Sequence, residues 1–108
     1  MLNVYNEITV SYKLIKGFSS KHIKKGLTLI INSYSANIRT KILSKHKKLD
    51  NRWMTLQLID RPVCGILGDK ITMSIYTEDK GLRLSGMGTI TDGIEAKILS
   101  LEDILKCT

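Results

Sequence analysis

Hydrophobic and polar residues alternate along most of this chain with a period of two. From residue 8 to residue 14, Ile, Val, Tyr and Leu are separated by Thr, Ser and Lys. Such a period places the apolar side chains on one face of a β-strand. The same alternation, or a short apolar run rich in β-forming residues, recurs five more times, and we expect Trp53 to lie in the core. The sequence predicts strands at residues 8–14, 27–31, 38–42, 53–59, 71–75 and 82–90.

Turn-forming or charged segments separate the predicted strands. Gly26 ends a turn at residues 24–26, and Gly81 ends a hairpin loop at residues 77–81. Pro62 interrupts pairing because it has no N–H to donate. The charged segment at residues 45–51 is predicted to be a loop. Six short strands with almost no helical signal indicate a small closed barrel or a sandwich.

The C-terminal segment alone has helical character. Residues 100–103 resemble a capping box, and Leu101, Ile104 and Leu105 share one helical face. We therefore expect a short C-terminal helical tail. The 108 residues suffice for only one core, so we expect a single domain at residues 1–108, with residues 94–108 as a C-terminal extension.

Positive charge is concentrated in one half of the sequence. The first 48 residues contain ten basic residues and one acidic residue, a net charge of +9, whereas the remaining residues have a net charge of −2. If the first half is contiguous in space, it forms a basic face. The basic residues either protect strand edges from aggregation or contact phosphates. The candidate phosphate contacts are Lys21, Lys24, Lys25, Lys45, Lys47 and Lys48.

Recognisable catalytic chemistry is missing from the sequence. There is no phosphate-binding loop of the GxxxxGK[ST] kind and no hydrolase signature, so we expect no enzymatic activity and no cofactor. His22, His46, Cys64 and Cys107 lack metal-ligand spacing, so no metal site is predicted. Two cysteines form no disulfide framework, and no apolar run reaches the ~18 residues of a membrane span. These features favour a cytoplasmic protein without membrane contact.

Three segments in the second half resemble one known family. They are residues 61–64 (RPVC), 68–74 (GDKITMS) and 82–90 (LRLSGMGTI). Together they resemble the C-terminal barrel, domain III, of the gamma subunit of eukaryotic and archaeal translation initiation factor 2. Residues 8–14 and 23–29 resemble the opening strand and the following turn of that domain. The resemblance covers residues 5–93 and implies an all-β fold, a six-stranded antiparallel β-barrel of the type in elongation factor Tu domain III.

The resemblance also implies a function for the chain. The whole factor is a GTPase that delivers initiator methionyl-tRNA to the small ribosomal subunit, and its GTP and Mg²⁺ bind in domain I. This chain would be the noncatalytic domain III. Its implied partners are domains I and II of the same subunit, an ATP-grasp assembly chaperone, small-subunit rRNA and, indirectly, the alpha and beta subunits. The alternative is a free-standing basic β-barrel that binds the RNA backbone.

The chain departs from the family pattern at several positions. The family has two basic residues where Ile75 and Tyr76 stand, and aromatic residues where Leu82 and Met87 stand. These differences put a basic contact from the fifth predicted strand in doubt. The residues in family-like segments to which we assign no role from sequence are Arg61, Pro62, Cys64, Arg83, Gly86 and Gly88.

Overall fold

Seven strands form one antiparallel sheet that closes on itself. The structure is a computed structural model, and it describes residues 3–33, 36–59, 62–65 and 67–95. The strands are β1 (Asn3–Leu14), β2 (Thr28–Ser33), β3 (Ala36–Lys48), β4 (Asn51–Leu58), β5 (Val63–Gly65), β6 (Lys70–Thr77) and β7 (Gly81–Glu95). A short 3₁₀ turn at Ser20–His22 lies between β1 and β2.

Six of these strands make the closed barrel, in the order β1-β4-β3-β2-β6-β7 and back to β1. On one side β1 pairs with β7 along most of its length. On its other side, residues 7–11 pair with β4, and Asn3–Tyr5 pair with the three residues of β5. The predicted all-β, six-stranded antiparallel barrel is confirmed, and the short β5 is an addition to it that the sequence pattern did not predict.

Alternating residues from the six barrel strands fill the interior. Ile8 and Val10 of β1 meet side chains such as Ile42, Met54 and Met73, and all five are completely buried. Burying one such side chain stabilises the fold by about 1.5–3 kcal/mol before the entropy cost of ordering it. The alternation with a period of two in the sequence therefore identifies the residues on the inner face of the barrel.

The buried polar residues of the described structure are Ser33, Thr40 and Ser85, and the hydroxyls of Thr40 and Ser85 each donate a hydrogen bond to a carbonyl. The Thr40 hydroxyl donates to the Leu29 carbonyl at 2.8 Å, and the Ser85 hydroxyl donates to the Met73 carbonyl at 3.1 Å. A buried hydroxyl without a partner would destabilise the fold. Each of these two buried hydroxyls therefore has a hydrogen-bond partner, so its burial does not destabilise the fold.

Two glycines on β7 allow the barrel to close. A methyl group on Gly86 would collide with the Lys13 carbonyl oxygen and lie 2.9 Å from Met73 Cε. On Gly88 it would lie 3.0 Å from the Ser11 carbonyl oxygen. The contact is with the backbone of β1.

The segment at residues 45–51 is not a loop, so that prediction was wrong. Strand β3 continues to Lys48, which pairs with Asn51 at the start of β4. Only Leu49 and Asp50 form the turn, and Leu49 adopts a positive φ of 58°. A two-residue turn of this kind matches the right-handed twist of paired strands. The charged residues can therefore remain in strand conformation while their side chains stay in solvent.

The prediction that Trp53 lies in the core was also wrong. Trp53 is half-buried and pairs with Ser11 and His46, whereas the next residue, Met54, is completely buried. Because neighbouring strand residues face opposite sides, Met54 and Leu56 take the interior and leave Trp53 outside.

The predicted helical tail lies outside the described residues. Within the extension at residues 94–108, the structure describes Ile94 and Glu95, which belong to β7. In the described part of the chain, no helix is long and apolar enough to cross a membrane.

We expect Gly86→Ala to lower the free energy of unfolding by about 1–3 kcal/mol, because the added methyl group forces β7 away from β1. Urea unfolding followed by circular dichroism measures this change. Met87→Ala is the matched control, since Met87 is exposed on the same strand, and we expect a change within about 0.5 kcal/mol. Equal stability of the Gly86→Ala variant and the unmodified protein would contradict the assigned role of this glycine.

Candidate functional site

The first predicted lysine cluster lies on the connection between β1 and β2. Lys21 is in the 3₁₀ turn, and Lys24 and Lys25 are in the turn that ends at Gly26. The Leu27 N–H donates to the Lys24 carbonyl at 3.0 Å, and Gly26 has a positive φ of 88°. All three lysines are exposed, so their ammonium groups are available to solvent or to a partner.

The second cluster, Lys45, Lys47 and Lys48, lies on β3 and not in a loop. Lys45 is the exception among the three, because its Nζ donates to the Ile23 carbonyl at 2.6 Å. Its ammonium group therefore holds the β1–β2 connection against β3. The backbone of the same region adds a hydrogen bond from the Gly26 N–H to the Ile42 carbonyl at 2.8 Å.

These contacts bring the two clusters side by side. They are 20 or more positions apart in sequence, and Lys45 joins them by contacting a carbonyl between Lys21 and Lys24. We call the resulting surface the basic face; it comprises Lys21, Lys24, Lys25, Lys45, Lys47 and Lys48. Juxtaposed exposed cations of this kind attract polyanions.

The end of the β3–β4 hairpin carries two cations in direct opposition. Lys47 pairs with Arg52 across the two strands. Like charges at directly opposite positions destabilise a sheet. Asp50 is nearby in the turn, but no described residue forms a salt bridge with Lys47 or Arg52. The Asp50 carboxylate lines the same cleft as these two cations and offsets part of their charge.

A cleft opens next to this hairpin, where β1 and β4 stop pairing after Ser11 and Trp53. It has a volume of about 380 Å³, and we call it the barrel-end cleft. Its lining residues are Tyr12, Lys13, Leu14, Phe18, Lys47, Asp50 and Arg52. Three cations and one carboxylate line this cleft, so its local charge is positive.

Tyr12 is the most buried polar residue of the barrel-end cleft, with only 5% of its surface exposed. Burial raises the pKa of its hydroxyl, and the nearby Arg52 charge opposes that rise. Because the ordinary pKa of tyrosine is already 10.0, the hydroxyl stays protonated at neutral pH and can donate a hydrogen bond. Sequence reasoning missed Tyr12, Lys13 and Arg52, since only strand pairing brings them to the hairpin.

Arg83 has a structural contact in the barrel. Its guanidinium carbon lies 5.0 Å from the centre of the Phe18 ring, within the range of a cation–π interaction. The His22 ring packs edge-on against the same ring at 5.5 Å. Arg83 therefore holds the β1–β2 connection against β7.

The other residues of the family-like segments lie near the barrel seam or outside the described structure. Pro62 is half-buried between β4 and β5, and Cys64 belongs to β5, where its backbone pairs with Val4. Gly86 and Gly88 contact β1 as described above. Arg61 and Cys107 lie outside the described residues.

The outer face of β6 and β7 carries an exposed apolar patch. Tyr76 is 72% exposed and pairs with Leu82, which is 51% exposed. Leu84 and Met87 extend the patch along β7 with similar exposure. We call these four residues the β6–β7 patch. Exposed apolar clusters on small domains commonly mark contact with another protein surface.

A shallow groove of about 460 Å³ crosses the outside of β1, β7 and β6. Its polar lining is dominated by hydroxyl and amide side chains, together with Lys13 and Lys70. It adjoins the β6–β7 patch through Met87. Since its two lysines are on different strands and its other groups are neutral, it offers weaker anion recognition than the barrel-end cleft.

The two histidines have protein neighbours. His22 Nδ1 accepts the Ser19 N–H at 3.0 Å, and His46 stacks on Trp53 with 5.7 Å between ring centres. Among residues 3–33, 36–59, 62–65 and 67–95, no three His, Cys, Asp or Glu side chains are grouped to hold a metal ion.

Searches of the sequence against known protein families and against curated proteins find no match. The resemblance to the initiation-factor domain therefore stays a prediction, and the geometry of this chain carries the functional argument.

We expect Lys45→Met to lower the free energy of unfolding by about 1 kcal/mol, because the Ile23 carbonyl loses its charged donor while the aliphatic stem is kept. Thermal unfolding at low salt measures this loss. Lys47→Met is the matched control, since it removes the same charge and relieves the repulsion with Arg52. We expect this control to be as stable as the unmodified protein or slightly more so. Equal losses in both variants would contradict the bridging role of Lys45.

Proposed function

We propose that this chain is a noncatalytic docking module, equivalent to domain III of the gamma subunit of translation initiation factor 2. In the complete factor, this module would serve the GTP-dependent delivery of initiator methionyl-tRNA to the small ribosomal subunit in the cytoplasm. The nucleotide would bind elsewhere in the factor. The observation that carries the proposal is the closed six-stranded antiparallel barrel whose seam is formed by family-like glycines, Gly86 and Gly88, against β1.

The location of the family-like segments supports this proposal. Residues 82–90 form the β7 side of the seam, and residues 63–65 form β5, which pairs with the start of β1. The segment at residues 68–74 enters β6 and also contacts β7, since the Gly68 N–H donates to the Ile90 carbonyl at 2.7 Å. The three segments all lie between residues 61 and 90, and their described residues belong to one structural unit around the start of β1 and the seam.

The β6–β7 patch supports docking against a protein surface. Its four apolar side chains project from one outer face. We propose that this patch packs on the GTPase domain and domain II. The ATP-grasp assembly chaperone is the second proposed partner, and contact with the alpha and beta subunits would be indirect.

We expect the chain to bind a fragment containing domains I and II of the gamma subunit, and Leu82→Lys with Leu84→Lys to weaken that binding at least tenfold. Two lysines would place charge in an apolar contact, where desolvation is unfavourable. Isothermal titration calorimetry measures the affinity, and the same titration is made with the chaperone.

The matched control replaces two other exposed leucines, Leu49 and Leu67, by lysine. We expect the control variant to bind like the unmodified chain, and both variants to keep their melting temperatures. If the unmodified chain binds neither the two-domain fragment nor the chaperone, the docking proposal is wrong. Equal losses in the two double variants would show that charge alone, and not the β6–β7 patch, governs binding.

RNA-backbone binding is a second candidate function, and the basic face favours it. The specific observation is the Lys45 Nζ bond to the Ile23 carbonyl, which assembles two lysine clusters into one surface. Lysine ammonium groups bind phosphates as point charges but read bases poorly. Any RNA binding by this surface would therefore be insensitive to sequence.

We expect the unmodified chain to bind single-stranded RNA of mixed sequence at low salt, with an affinity that falls steeply as salt rises. Fluorescence anisotropy at several salt concentrations measures the slope. Lys24→Gln with Lys25→Gln should make the slope shallower without changing the melting temperature, because both side chains are exposed. Absence of binding at low salt would exclude this second function.

A further inference from the structure

Two cations stand opposite each other at the end of the β3–β4 hairpin, and this arrangement suits an anionic ligand. Lys47 pairs with Arg52 across the two strands, and both residues line the barrel-end cleft together with Asp50. Like charges at opposing positions are electrostatically unfavourable, and unfavourable local arrangements of this kind are characteristic of functional sites. An anion between these side chains would convert the repulsion into attraction.

The Tyr12 hydroxyl offers a further hydrogen-bond donor in the same place. The side chain is 95% buried and lines the barrel-end cleft, yet its hydroxyl forms no hydrogen bond with any residue that the structure describes. Among the described side chains, no fully buried polar atom lacks a partner, so this hydroxyl must reach the open side of the cleft. A protonated tyrosine there provides a neutral donor beside Lys47 and Arg52.

We propose that the barrel-end cleft binds one phosphate of an RNA backbone, with Lys47 and Arg52 as charged contacts and the Tyr12 hydroxyl as a further donor. This inference rests on the second candidate function, RNA-backbone binding, and it names the site of that function. The donors come from three strands, β1, β3 and β4, and thus approach the ligand from several directions.

Phosphate fits this arrangement better than carboxylate does. A phosphate presents several acceptor oxygens in tetrahedral geometry, whereas a carboxylate presents two in one plane. The Arg52 guanidinium can bind two phosphate oxygens side by side, and Lys47 acts as a point charge on another. Lys45 is on the same face of β3 two positions before Lys47, and successive cations suit a polymer with a phosphate on every residue.

The test measures binding of a fluorescein-labelled 12-nucleotide single-stranded RNA by anisotropy, from low to moderate salt. We expect Lys47→Gln with Arg52→Gln to weaken binding roughly tenfold or more and to reduce the salt slope by about 0.7–1. Tyr12→Phe should weaken binding severalfold and leave the slope unchanged, because a hydroxyl releases no counterion. These two signatures separate the charged contacts from the neutral donor.

The matched control is Lys41→Gln with Lys80→Gln, which removes two charges from exposed positions outside the cleft. We expect its affinity to stay within about twofold of the unmodified chain. Circular dichroism and melting temperature confirm folding of each variant. Isothermal titration calorimetry with inorganic phosphate measures occupation of the cleft independently of RNA.

The outcomes distinguish failure of the site from failure of the function. No RNA binding by the unmodified chain would overturn both. If RNA binding is unaffected by the Lys47 and Arg52 substitutions, the cleft is not the binding site, while RNA binding as a function stands. Calorimetric binding of inorganic phosphate without RNA binding, or equal competition by polyglutamate, would overturn RNA as the ligand. If Tyr12→Phe leaves RNA binding unchanged, the Tyr12 hydroxyl does not contact the RNA.

Discussion

Closure of the barrel through β1 is the constraint on which the other features depend. This strand pairs with β7 on one side and with both β4 and β5 on the other. The β1–β7 seam is close enough that backbone and side-chain atoms of β1 occupy the space where a Cβ would lie on Gly86 or Gly93. Small residues on β7 therefore allow larger ones, such as Tyr5 and Met73, to fill the interior beside the seam.

The inner face of the barrel could be predicted from sequence because burial imposes a period of two. The strand ends could not, because they depend on pairing between distant segments. Residues 45–48 are almost entirely polar, so no hydrophobic pattern marks them as strand, yet register with β4 keeps them paired. A β-bulge after Ile42 also changes which side chains point outward, and that change is invisible in composition. Trp53 was misassigned for a related reason. Its large apolar side chain suggested burial, but Met54, the next residue of the strand, occupies the interior, so Trp53 lies on the outer face.

The candidate site was predictable in charge but not in geometry. A net charge of +9 in the first 48 residues indicates a basic half without saying which lysines serve the fold. Lys45 binds a carbonyl, whereas Lys24 and Lys25 remain exposed, and this distinction needs the three-dimensional position of Ile23. The barrel-end cleft depends further on the point where β1 and β4 diverge. The family resemblance stays a prediction of function, while the barrel that it implied is present.

Pairing of the first strand with the last has a consequence for how the polypeptide folds. Contacts between β1 and β7 join residues 72–90 positions apart, for example Leu14 with Gly86 and Tyr5 with Glu95. Such distant contacts make folding slow compared with that of helical domains of similar size, because the loop-closure entropy must be overcome first. During synthesis, one edge of β1 stays unpaired until β7, the last strand of the barrel, has been made. Polar residues at alternate positions of β1, such as Thr9, Ser11 and Lys13, make this unpaired strand less prone to aggregation.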